Sequence, residues 1–337
     1  MHKQIYGECC LDLTLSLESD LLVQGEQDQE SETSAGGPRP PMRFFRARHP
    51  ETGEQTTCIP GSSLKGVLRS TGEKILRSFD ERLACDPFED DPVQLHCACS
   101  HRLAAEEEAG QRWRSDEVYG LICPACRLFG SLAHAGLIEV EDAWATQERQ
   151  SLMQSQIAID RLLGGVAPGA MYRMEPLTTA SRFRTALTVK NFELWQLGLL
   201  ALALRELNDG QALIGWGTRR GLGRVSVNYD EMWMRYPRAL YDAAREAYGG
   251  NGKIVAAQRL IPAARQESMS YAVEDLWLGE RASPHDSGGW RDVNWRVFRF
   301  GDEDRIRDFL ADCVERALAP RLRLGRPGFV YETGTEG

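Results

Sequence analysis

Residues 59–70 read IPGSSLKGVLRS. A Pro-Gly pair ends what comes before, and a helix begins after it. Leu64, Val67, Leu68, Thr71, Ile75 and Phe79 recur at spacings of three and four, which is one apolar face of an amphipathic helix. Ser62 or Ser63 suits its N-cap. Lys65 and Arg69 are four residues apart and share a second face. A helix start offers free N–H groups and the positive end of the dipole. Ser62, Ser63, Lys65 and Arg69 therefore suit a phosphodiester backbone. A capped helix with a solvated basic face is the plainer reading, and chemistry alone favours it.

Upstream, Leu11, Leu13, Leu15 and Leu17 alternate with polar residues, so the spacing predicts a half-buried strand within 4–18. Residues 24–41 are rich in Glu, Gln, Ser, Gly and Pro and read as a loop. Residues 42–49 read as a short basic strand. Downstream, strands are predicted over 137–144, 155–160 and 183–190, with a hairpin or long loop over 161–180. Asn191 is the expected cap of a helix over 192–207 that is apolar nearly all round and hence buried. A glycine loop follows at 215–223, then a strand at Val225 and Val227. Strand, helix, strands, helix, strand is the order of a split βαβ sandwich, an α+β fold. Residues 230–337 differ in composition; Trp277, Trp290 and Trp295 suit either a docking surface or a core.

The 337 residues allow one large domain or two ordinary ones at on the order of 150 residues each. No run of roughly 18 apolar residues suggests a membrane span, and the polar start does not read as a secretory signal. The net charge of −9 argues mildly against a nucleic-acid partner, yet phosphate binding depends on local field, and the acids cluster at 26–32, 86–91 and 106–108. Nine cysteines, an odd number, point to metal or reduced thiols rather than a disulfide framework.

Five of those cysteines lie in residues 84–126, which read as an insertion. Cys97 and Cys99 form a Cys-x-Cys, and Cys123 and Cys126 a Cys-x-x-Cys. Two close pairs can supply a tetrahedral zinc site with no open position, which is folding chemistry rather than catalysis. Cys123 and Cys126 anchor the expected set, Cys97 joins them, and Cys99 takes the fourth place; Cys85, His96 and His101 are the alternatives.

The loop GWGTRRGLGRV at 215–225 combines four glycines with Arg219, Arg220 and Arg224. Gly217 and its fellows permit positive φ and close approach to a ligand, and the arginines are phosphate donors. The loop is neither a Walker loop nor a dinucleotide fingerprint. In the hairpin segment, Met171, Tyr172 and Met174 could wedge between bases, and Arg161 and Arg173 could contact phosphate.

IPGSSLKGVLRS at 59–70 closely resembles the signature of the RAMP superfamily, specifically the backbone subunits of type III CRISPR effector complexes. CPACRLFGS at 123–131, IAIDRLLGGVAPGAMYRMEPL at 157–177 and the glycine loop are similar to the same family and occur in its order over roughly residues 1–229. The resemblance implies a ferredoxin-like (RRM-like) RAMP fold over 1–229, with a zinc-binding insertion at about 84–130 and a thumb hairpin at about 161–180. It leaves 230–337 as an α-rich C-terminal extension of unassigned role. It further implies a cytoplasmic antiviral ribonucleoprotein. The partners would be CRISPR RNA, complementary target RNA, other RAMP subunits and the large polymerase-like subunit. Zinc would be structural.

Cutting members of the family carry an acidic residue in an Asp-x-Pro-like stretch about sixteen residues before the Pro-Gly-Ser-Ser turn. Here that stretch is Pro40-Pro41-Met42-Arg43, which holds no metal-binding group. The expected role is RNA binding without cleavage. The alternative is a magnesium-dependent endoribonuclease using a displaced acid such as Asp28 or Glu32, although a carboxylate on a polar loop is more often merely solvated. A histidine general base has no support, because His49 and His134 lie in no recognisable triad.

Overall fold

A computed structural model of the chain describes residues 4–24, 41–94, 96–149, 153–157, 159–167, 171–248, 254–260, 283–284 and 294–322. The centre of the fold is β1 (Glu8–Leu17), where the leucine alternation is realised: Leu11, Leu13, Leu15 and Leu17 are buried on one face. Each such leucine contributes about 2 kcal/mol of apolar burial. Around β1 the chain adds β2 (Met42–Arg43), β3 (Arg46–Arg48), β4 (Gln55–Ile59), β5 (Ile138–Val140), β6 (Ala143–Gln147), β7 (Gln154–Gln156), β8 (Tyr172–Glu175), β9 (Arg182–Lys190), β10 (Val225–Pro237), β11 (Ser283–Pro284) and β12 (Trp295–Phe300). The large sheet runs β11-β12-β10-β1-β9-β6-β4-β3, with β5 also paired to β9. β1 is antiparallel to both β9 and β10. A small second sheet, β2-β8-β7, stands apart from it.

Two helices cross the apolar face. α1 (Gly61–Phe79) is the helix read at 59–70, and it buries Leu64, Leu68, Thr71 and Leu76. Between it and β5 lie the short helices α2 (Cys99–Glu108), α3 (Ser115–Leu121) and α4 (Pro124–Phe129). α5 (Leu194–Asn208) follows β9, packs on α1 and β10, and is buried along most of its length as its composition requires. Asn191 is not its cap. The N-cap is Glu193, paired in a capping box with Gln196. Asn191 instead adopts a left-handed backbone, accepts the Tyr6 N–H at 2.7 Å and donates to the Gln4 carbonyl at 2.9 Å. Asparagine tolerates that conformation better than most residues.

The expected boundary at residue 229 falls inside β10, which runs on to Pro237. A bulge causes the mismatch. Leu13 pairs with Tyr229 and Asp12 with Glu231, so Asp230 is skipped in the ladder and its carboxylate accepts the Thr14 hydroxyl. Inward-facing residues change parity there, from Val225 and Val227 to Met232, Met234 and Tyr236. After α6 (Arg238–Tyr248), β12 pairs with the second half of β10, so the later residues extend the same sheet. The helix α7 (Glu303–Asp312) passes through a π-helical turn, Cys313–Leu318, and packs on α5. Gly198 makes that crossing possible, since a Cβ there would sit 2.8 Å from the Cys313 carbonyl oxygen.

Gly61→Ala tests the seat of α1. The new Cβ would lie 2.2 Å from the Val140 carbonyl oxygen. The helix start would have to move, at a cost of roughly 1–3 kcal/mol for overpacking. Equilibrium denaturation should show that loss, while Gly66→Ala, which faces open space, should be neutral or slightly stabilising.

Candidate nucleic-acid interface and cysteine centre

α1 begins without a serine cap. Pro60 is the N-cap residue, Ser62 is exposed and Ser63 half-buried, and neither hydroxyl closes the turn. The Gly61 N–H donates to the Asp142 carboxylate at 2.7 Å. The positive end of this helix thus already faces an acid. Lys65 is half-buried and its Nζ donates to the Ile138 carbonyl at 3.0 Å. Burial first, and then the Arg69 guanidinium, hold its pKa below the ordinary lysine value.

Arg69 departs furthest from expectation. It is turned inward, with Nε donating to Glu73 at 2.8 Å and one terminal nitrogen donating to the Gly130 carbonyl at 2.9 Å. The other terminal nitrogen lies 3.9 Å from Cys126 Sγ. Two turns further on, Arg77 pairs with the same Glu73 and donates to the carbonyls of Ala84 and Cys85. The face read as a phosphate grip is therefore, beyond its first turn, a support for the insertion.

Four thiols converge there. The Sγ atoms of Cys85, Cys99, Cys123 and Cys126 lie within 4.8 Å of one another, all buried. Cys97 does not belong to the set. Cys97 precedes the N-cap residue of α2 and Cys99 opens the helix, so the two are only two residues apart and do not share a face. Cys97 Sγ turns to the Ala98 carbonyl instead. Cys85 takes the place expected of Cys97, and His96 and His101 stay outside the quartet.

The set fits a tetrahedral metal such as zinc. Four sulfurs about 2.3 Å from one ion would be about 3.8 Å apart, and Cys85 Sγ and Cys126 Sγ are 3.5 Å apart. Donors are already aimed at three sulfurs: Cys85 N–H at Cys123 Sγ (3.4 Å), Cys123 N–H at Cys99 Sγ (3.2 Å), and Arg69 at Cys126. The proton balance agrees. Hydrogen bonds from Cys123 and Cys126 hold the Cys99 thiol below its usual pKa, while Cys126 is pushed up by Cys123, Cys85 and Cys99. Four thiols this close cannot all ionise without a cation among them.

At the other end of the molecule the glycine loop meets the hairpin. Gly215 and Gly223 serve the fold, since a Cβ at either would fall 2.4 Å from the Leu22 and 2.1 Å from the Ile214 carbonyl oxygen. Gly217 and Gly221 have positive φ and flank the turn Thr218–Arg220, which holds Arg219 and Arg220 in solvent. Arg224 is exposed beside them. The Arg220 guanidinium stacks at 5.1 Å over Trp216 and 5.3 Å over Tyr172, and those two rings meet edge to face at 5.6 Å. Tyr172 opens β8, so this cluster ties the loop to the hairpin. Trp216 was not singled out in the sequence; the signal for it was an aromatic between two glycines of a basic loop.

The hairpin spans Gln154 to Glu175, starting earlier than 161. Its tip carries Ile157, Ile159, Leu162, Leu163, Val166 and Met171 in solvent, with Leu162 95% exposed, and Arg161 and Arg173 are exposed too. Met174, expected as a wedge, is buried. Asp28 and Glu32 lie outside the described residues. His49 accepts backbone N–H bonds from Glu51 and Thr52 and packs on Trp144. His134 is buried against Tyr119.

The profile of the RAMP superfamily matches residues 43–226, more than half of the chain, a span that holds the four cysteines, the hairpin and the glycine loop. The protein belongs to the RAMP superfamily, a membership that supports a CRISPR-associated, RNA-binding role alongside other subunits. No curated protein matches the sequence closely. Among the described residues, no helix is long and apolar enough to cross a membrane.

Serine substitutions separate the two ligand sets. Cys85→Ser and Cys123→Ser should each lower bound zinc well below one per chain, measured by elemental analysis, and Cys97→Ser should leave it unchanged. Loss of zinc in Cys97→Ser would return Cys97 to the site.

Proposed function

We propose that the chain is a backbone subunit of a type III CRISPR effector complex. It holds the CRISPR RNA, positions complementary target RNA and does not cleave it. The observation that carries this reading is the cluster Trp216–Arg220–Tyr172, which joins a solvent-facing arginine loop to a hairpin with an apolar, exposed tip. Arginines following a backbone beside aromatic faces are how single strands are gripped without sequence preference. The strand order β10-β1-β9-β5/β6 with α1 and α5 on one face fits a ferredoxin-like RAMP core. Zinc, if held by the four cysteines, closes the insertion and supplies no reaction step.

In this reading Arg219, Arg220 and Arg224 contact phosphates, with Arg161 and Arg173 doing so from the hairpin. Ser62, Ser63, Lys65 and the turn at Gly217 line the same strand. Met171, Leu162 and Leu163 press on bases. Other RAMP subunits and the large polymerase-like subunit are the protein partners. The absence of an acid in Pro40–Arg43 supports a non-cutting role.

RNA affinity measured against salt tests the proposal. Each phosphate contact on a single strand contributes about 0.7 to the slope of log affinity against log salt. Replacing Arg219, Arg220 and Arg224 together by alanine should lower the slope by about 2, and an unchanged slope removes them from the site. Trp216→Ala should weaken binding by about 1–3 kcal/mol with little change in slope. With guide, labelled complementary RNA and magnesium, no cut should map opposite this subunit; a cut abolished by Asp28→Ala would overturn the non-cutting reading.

A further inference from the structure

Helix α1 carries three charged side chains at one-turn intervals, Arg69, Glu73 and Arg77, and all three are spent on the cysteine insertion. Glu73 is itself buried and holds both guanidinium groups. Arg77 grips the chain leading into Cys85 through two carbonyls. Arg69 reaches Cys126 Sγ and fixes Gly130, just beyond the Leu-Phe that follows Cys126. The two cysteines served in this way, Cys85 and Cys126, are the pair whose sulfurs are 3.5 Å apart.

We infer that Arg69 is a positioning residue of the metal centre and not an RNA contact. The inference rests on the metal-binding reading of the four cysteines. A dication bound by four thiolates leaves two net negative charges in a buried place, where an uncompensated charge is costly. Arg69 brings a fixed positive charge and a donor to one of those sulfurs. Its fork is locked on the other sides by Glu73 and the Gly130 carbonyl, so the guanidinium cannot swing out to a phosphate without breaking both. Arg77 differs in kind, because it holds the backbone of one ligand and touches no sulfur.

The test uses the full chain and two probe metals. Zinc affinity is measured by competition with a chromophoric chelator. Cobalt(II) then replaces zinc, and the thiolate-to-cobalt charge-transfer band reports the electrostatic setting of the sulfurs. Arg69→Met should weaken zinc binding about 10–100-fold, the usual range for an outer partner of a metal ligand, and should shift the cobalt band. Arg69→Lys, which keeps the charge and loses the fork, should recover part of the affinity and shift the band less. Arg77→Met should leave the band in place even if stability falls. Wild-type affinity and band position in Arg69→Met would overturn the inference, as would an equal shift in Arg77→Met.

The RNA measurement keeps the two proposals apart. With zinc saturating, the salt slope of RNA binding should be the same in Arg69→Met as in the wild type. A reduced slope with an unshifted band would return Arg69 to the RNA and leave the RNA-binding reading intact. Failure of the wild-type chain to bind either metal would remove the metal centre, and Arg69's role with it, without touching the RNA reading.

Discussion

Helix α1 is wedged between two demands, and the rest of the molecule is arranged to meet them. Its first residue must lie against the backbone of β5, where only hydrogen fits between Gly61 and the Val140 carbonyl. Its middle must satisfy Glu73, a nearly buried carboxylate that would be expensive to leave unpaired. Two arginines answer that need and in doing so tie the insertion to the core. The apolar side of the same helix packs on α5, which in turn covers β10 and supports the C-terminal helices. Sheet, insertion and late residues thus share one contact chain that passes through a single 19-residue helix.

That arrangement divides labour across the molecule. The cysteine side is closed, buried and rich in internal donors, as a structural centre should be. The glycine-loop side is open, and its charges point to solvent. An overall charge of −9 is compatible with RNA binding because phosphate contact depends on the local field and not on the total charge.

Much of this was legible in the sequence, and the parts that were not have definite causes. The period-two run in β1 and the all-round apolar run in α5 report burial directly, and the helix at 61–79 followed from its spacing. The inward turn of Arg69 onto Glu73 and Gly130 was not legible, because helical periodicity tells which residues share a face, not what lies opposite. Cys85 was ranked below Cys97 because spacing favours near neighbours, whereas Cys85 is delivered by Arg77 from a helix that ends before it. Asn191 misled because the same residue type serves as a helix cap and as a left-handed corner. β10 was cut short since its alternation reverses at Asp230, and a pattern search stops where the pattern changes phase.

The extra residue at Asp230 has a consequence for how this chain could change length. Before it, odd-numbered positions of β10 point into the core; after it, even-numbered positions do. The strand is thus two half-strands whose numbering is out of step, and Asp230 absorbs the difference: without it the pairs Leu13–Tyr229 and Leu11–Met232 would follow in plain alternation, whereas a one-residue gain or loss elsewhere in β10 would turn one half toward water. The two halves of β10 therefore tolerate a change of length at the bulge and nowhere else, and a relative sharing this sheet could lack the extra residue and still face the same side chains inward.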